Sequence, residues 1–270
     1  MDHSPFWNVR DDFASATPVD LVAGLHQDDR ANLDQGIVAF ATELALVDRG
    51  LELYIEPLRA VLVAKDKVPW TEQLRATVAM FENVFNVLLA QRLLLLSGYL
   101  AEARPLTRRI HEAMAAAMAF HASPELARKF YQGHQIPPKA IRDAIAEGYA
   151  ATPDGKEAIY LGLQNQYGHL SDGAHPGLES FHMRVAVKKP GKEGLRESVP
   201  ENVVFGGLIQ LDLGKIGLLG LARNIADGLV FLGVVLTDQE WSIASEAFRN
   251  DVTSAIREHD EAMDAENVDG

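Results

Sequence analysis

Apolar residues recur along most of this chain at three- and four-residue steps, the spacing that puts them on one face of a helix. From about Ala31 to Ala64 the series Leu33, Ile37, Phe40, Leu44, Val47, Leu51 and Ile55 predicts one long amphipathic helix, which Pro57 should end or kink. A turn, KDKVPWT, follows, with Thr71 placed to cap a second helix running to Ser97. That helix is nearly all apolar from Val84 to Leu96, as expected of an element at the centre of a bundle, and Ser97-Gly98 should break it. A third helix is expected from Tyr99 to His121, with Pro105 either in its first turn or kinking it.

Ser123-Pro124-Glu125 reads as a cap, a first-turn proline and an acid suited to the helix dipole, opening a short helix to about Gly133. Pro137-Pro138 opens another to about Tyr149. After the turn Thr152-Pro153-Asp154-Gly155, helix resumes near Lys156 and should end at Gly173 and Pro176. Between Phe181 and Phe205 the period changes from helical to alternating: Phe181, Met183, Val185 and Val187 are apolar, PGKEG turns the chain, and Val203 to Phe205 returns. This predicts a β-hairpin over about 181–206 with a basic tip. Two helices, Leu208–Leu236 and Asp238–Glu261, close the chain, with Thr237 and Glu240 forming a capping box between them.

The fold class that results is mainly α, a multi-helix bundle with one β-hairpin inserted before the last two helices. Residues 1–30 lack sustained periodicity yet contain Phe6, Trp7, Phe13, Leu21 and Leu25, which predicts an arm packed on the body. Residues 31–265 form a single domain, with no repeat or long linker to divide it, and residues 266–270 should fray.

Composition narrows the function classes. With 47% hydrophobic residues in 270, the chain can build a sizeable core. A formal charge of -13 repels nucleic acid and anionic lipid, so a nucleic-acid role would need a local basic patch. Absence of Cys removes disulfides, thiolate nucleophiles and Cys-ligated metals, and fits a reducing cytoplasm. The first residues lack the basic start and apolar run of a secretory signal. The apolar stretches Asn86–Leu100 and Val203–Leu236 are interrupted by Gln91 and Arg92, and by Asp212, Lys215, Arg223, Asn224 and Asp227. Both therefore read as buried helices of a soluble protein rather than membrane spans. No membrane partner is expected, and the long helices offer faces through which copies of the chain could associate.

Candidate chemistry concentrates in two places. On the third helix Arg104, Arg108, His111 and Glu112 fall within roughly a quarter turn of one another. Small residues, Ala115 and Ala119, continue that face, so a second element could approach it and bury Arg108 and Glu112, which would then have to be paired. The second place is Tyr167–Ser180, where Tyr167 and Ser171 stand one turn apart and His175 follows near the helix end. Hydroxyls and an imidazole there could meet the Arg-Glu pair.

The runs Leu106–Ala113, Tyr167–Ser171 and His175-Pro176 together resemble a bacterial helical family of unknown function. That family shows R-x-x-x-E on one helix and Y-x-x-L-S-x-x-x-H-P before a hairpin and two last helices. The resemblance spans roughly Ala31 to Leu236, implies that Arg108, Glu112, Tyr167, Ser171 and His175 belong together, and carries no established activity. A more distant resemblance is to the HEPN helical ribonucleases, in which an Arg precedes a His on one helix. Arg104 and His111 fit, as do Arg128 and His134. In that reading Arg104 or Arg108 holds a phosphate and His111 or His175 serves as acid or base, without metal.

A metal reading takes His169, Asp172 and His175, completed by Glu112 or His111, although three-residue spacing drifts around a helix unless it breaks at Gly173. No cofactor is implied. Gly206-Gly207 lacks the setting of a phosphate loop, Lys188, Lys189 and Lys192 read as a solvated turn, and no G-x-S-x-G surrounds Ser171. His121, on an apolar face, reads as a satisfied core histidine. The expected function is an interaction or structural role for a cytoplasmic bundle with an internal polar site. The alternatives are a HEPN-like ribonuclease and a metal-binding bundle.

Overall fold

Helix boundaries follow from short local signals in the sequence. Thr71 Oγ1 accepts the N–H of Leu74, Ser123 Oγ that of Leu126 and Thr152 Oγ1 that of Gly155, each satisfying a first-turn donor that has no partner within its helix. Gly98 and Gly133 take positive φ just past two helix ends. In both cases the glycine N–H and the next residue's N–H return to the last-turn carbonyls, Leu95 and Leu94 in one, Phe130 and Lys129 in the other.

The computed structural model describes residues 18–64, 69–174, 211–235 and 238–268. Among these it has nine helices and no strand: α1 (Pro18–Ala39), α2 (Ala41–Val63), α3 (Glu72–Leu96), α4 (Leu100–Ala122), α5 (Pro124–Tyr131), α6 (Pro138–Tyr149), α7 (Pro153–Ala174), α8 (Leu211–Val235) and α9 (Gln239–Val268). The chain is thus a multi-helix bundle. The hairpin expected over 181–206 lies outside the described residues.

Several expectations need correction. Residues 18–30, for which the sequence showed no sustained period, belong to α1, and the rest of the expected N-terminal arm, 1–17, lies outside the described residues. The single helix expected over 31–64 is two, because Phe40 leaves helical geometry and carries its ring into the core, against Gly214 of α8. α2 then continues through Pro57 to Val63. Proline deprives the carbonyl of Leu53 of its helical partner, and the indole Nε1–H of Trp241 on α9 donates to that carbonyl at 2.9 Å. A tertiary bond thereby replaces the missing helical one. Pro105 likewise sits inside α4. α7 begins at Pro153, within the expected turn, and its described part runs to Ala174, and α9 extends to Val268, past the expected end at Glu261. Its cap is Asp238, which accepts the N–H of Trp241 at 2.8 Å, whereas Thr237 lies outside the described residues.

The core forms where α2, α3, α4 and α8 meet, around Tyr54, Phe81, Leu88, Ile110, Met114 and Leu221, all below 2% exposed. Each such side chain contributes on the order of 1.5–3 kcal/mol through its burial. α4 is central: α3, α6, α7 and α8 all pack on it, and Ala113, Ala116, Ala117 and Ala119 let them approach closely. Polar bridges fix the periphery. Arg92 of α3 makes a two-pronged contact with Asp48 of α2, and Arg49 of α2 pairs with Asp251 of α9. By length and composition alone, α3 and α8 are apolar enough to cross a membrane.

Candidate functional site

The polar face of α4 is read by three other helices. Thr107 and His111, one turn apart, face a seam that runs from α3 through α4 to α8 and α7. Gln91 of α3, a buried polar residue in an apolar helix, donates from Nε2 to the carbonyl of Ala103 at 3.2 Å and to Thr107 Oγ1 at 2.9 Å. Asn224 of α8, only 5% exposed, donates to the same Thr107 hydroxyl at 3.4 Å. Its Oδ1 stands 3.3 Å from His111 Nε2. On the other side of the ring, Gln166 Nε2 of α7 lies 2.9 Å from His111 Nδ1.

An amide nitrogen can only donate, so Nδ1 accepts from Gln166 and the ring proton sits on Nε2, donated to Asn224. This is the neutral imidazole, with both nitrogens engaged. Burial favours the same form by holding the His111 pKa below 6.5; Asp227 and the Asn224 bond oppose the shift and Arg223 reinforces it. Asp227, one turn beyond Arg223 on α8, is pushed above the usual carboxylate value by burial, against the pull of His111 and Arg223. The result is a cluster of polar groups that runs from buried Gln91 and Asn224 through part-buried Thr107 and His111 to exposed Gln166, bordered by Asp227. Gln91 Oε1 is the one member atom buried without a partner among the described residues.

The Arg108–Glu112 pair forms as the spacing implied, Nε to Oε1 at 2.8 Å. It is not interior. The two side chains are 25% and 46% exposed, because α7 packs on the neighbouring strip of α4, through His111 and Ala115, and leaves Glu112 at the surface. Tyr167 and Ser171 belong to α7, but their side chains, and those of His169 and Asp172, lie outside what is described; His175 lies beyond it altogether. The structure therefore brings α7 to α4 at Gln166, the residue before Tyr167, and says nothing of the remaining members. No group of three or more His, Asp or Glu with metal-binding geometry occurs among the described residues.

Arg104 is part-buried on the same face of α4 as His111, whereas Arg128 and His134 are exposed. His121 is satisfied as expected: its Nδ1 is 2.8 Å from the hydroxyl of Tyr149, whose ring stacks on it. The residues not singled out from sequence are Thr107, Asn224, Gln91, Gln166 and Asp227. Three of these, Gln91, Asn224 and Asp227, had drawn notice only as polar interruptions of apolar helices.

No protein family model, no curated protein and no solved structure matches this chain.

Proposed function

We propose that the protein is a non-catalytic helical bundle of the cytoplasm with a structural or interaction role, in which the polar seam on α4 acts as a clasp between helices. The observation that supports this reading is the engagement of both His111 nitrogens: one toward Asn224 and one toward Gln166. A general acid or base needs a nitrogen free to exchange a proton with substrate, whereas in a clasp the ring nitrogens hold the neighbouring helices. The resemblance to the bacterial helical family extends the clasp to Arg108, Glu112, Tyr167, Ser171 and His175, with the hairpin over 181–206 leading from this site into α8.

The ribonuclease alternative rests on Arg104 and His111 sharing a face of α4. Against it stand the net charge of -13 and the neutral, doubly bonded imidazole. Incubation of labelled RNA with the protein and with a His111→Ala, His175→Ala double variant separates the two. The clasp gives no cleavage, or the same trace cleavage in both. Cleavage by the native chain that disappears in the double variant would overturn it.

A further inference from the structure

Beside the clasp, and sharing His111 and Gln166 with it, α4, α6 and α7 border a half-open cavity of about 260 Å³. Its wall is largely apolar, formed by Ala115, Ile136, Pro138, Ile141 and Leu163. One cation lines it: Arg142 of α6, whose guanidinium lies over the ring of Tyr160 at 5.3 Å. Arg142 has no carboxylate within ion-pair distance and no hydrogen-bond acceptor among the described residues, and its Nε is buried without a partner. The other groups on the wall that bear charge or a ring nitrogen are engaged: part-buried His111 with Asn224 and Gln166, and exposed Glu112 with Arg108. A guanidinium held against an aromatic face, on the wall of a largely apolar hollow and without an acceptor among the described residues, could take an anion.

We propose that this cavity binds a small monocarboxylate with a compact apolar body, its carboxylate on Arg142 and its body against Ile136, Ile141 and Leu163. The planar fork of Arg142 matches the two oxygens of a carboxylate. A single positive charge, with Glu112 also on the wall, suits a monoanion and disfavours a phosphate dianion. The volume is just under the roughly 300–1,000 Å³ of pockets for drug-sized ligands, so the body is compact. This site does not depend on the clasp reading, since a ribonuclease with the same packing would have the same cavity.

Calorimetric titration of the full chain with butanoate, hexanoate and 3-phenylpropanoate tests it, with 3-phenylpropan-1-ol and inorganic phosphate as comparisons. At least one carboxylate should bind at one per chain. The alcohol and phosphate should bind at least about tenfold more weakly, as should that carboxylate to Arg142→Gln, a loss of about 1.4 kcal/mol. Leu163→Trp, which fills the cavity from its apolar side, should also abolish binding, and it decides the matter if Arg142→Gln fails to fold. Absence of binding by all three carboxylates, or affinity unchanged in the folded variants, would overturn the proposal.

Discussion

Trp241 on α9 donates its indole N–H to the carbonyl of Leu53 on α2, the carbonyl that Pro57 leaves without a helical donor. One residue thus lets a proline sit inside a helix and fastens the last helix to the bundle. Trp241→Phe should leave that carbonyl unpaired and cost about 1–3 kcal/mol in urea unfolding. Adding Pro57→Ala should recover part of the loss, because residue 57 then supplies its own N–H. No recovery would mean that the indole matters through packing alone.

Acid should weaken the fold through His111. Its folded pKa lies below the unfolded value of 6.5, chiefly through burial, so the unfolded chain binds this proton more readily. The associated stability is present above pH 6.5 and is lost as pH falls through the folded value. Protonation would also place a second donor opposite Gln166. Asp227 runs the other way: its folded pKa is raised, so its contribution is fully present below the unfolded value of 3.8 and is lost as pH rises through the folded one. Urea unfolding of native protein and His111→Gln between about pH 7 and 5 should therefore show a flatter dependence in the variant. Parallel curves would remove His111 from the acid response.

Glycines separate tight helix crossings from open ones. A Cβ on Gly36 would run into the backbone carbonyl of Leu96, which cannot swing aside, and one on Gly50 would lie 2.5 Å from the ring of Phe248. Alanine at either should cost about 1–3 kcal/mol. Gly168 in α7 has nothing within 4 Å of a built Cβ, so Gly168→Ala should stabilise by up to about 1 kcal/mol through helix propensity. Thermal melts of the three variants check the contrast.

The Arg108–Glu112 pair is a surface feature of α4. Glu112→Ala should cost only about 0.3–0.5 kcal/mol, the value of an exposed i,i+4 pair, rather than the roughly 3–5 of a broken buried one. A loss in the larger range, measured by urea unfolding, would show that the pair is covered in solution.

Much of the helical order was readable because its signals are local: Thr71 and Ser123 cap helices where the sequence places caps, and Gly98 and Gly133 stop them, whereas Thr152, read as part of a turn, also caps a helix. What could not be read depended on partners far along the chain. Pro57 signals a helix end unless Trp241, 184 residues later, replaces the lost bond. Phe40 fits the periodic series of one helix, and only the groove at Gly214 explains why the chain breaks there to bury its ring. The site was half legible. α4 was identified by its charged residues, Arg108 and Glu112, but the groups that engage its neighbours are Thr107 and His111, one position earlier on each turn. That small rotation is set by the helices packed around α4. Gln91 and Asn224 carried the signal that sequence does offer, an amide inside an otherwise apolar helix, which must find a partner once buried.

The most direct test of the clasp is a double-mutant cycle between His111 and Asn224, with unfolding free energies measured in urea for the native chain, His111→Ala, Asn224→Ala and the double variant. A clasp requires a coupling of about 0.5–3 kcal/mol, because each single change strands a buried partner that the double change removes. Additivity within about 0.3 kcal/mol would contradict it, leaving the two residues as neighbours that do not hold the helices together.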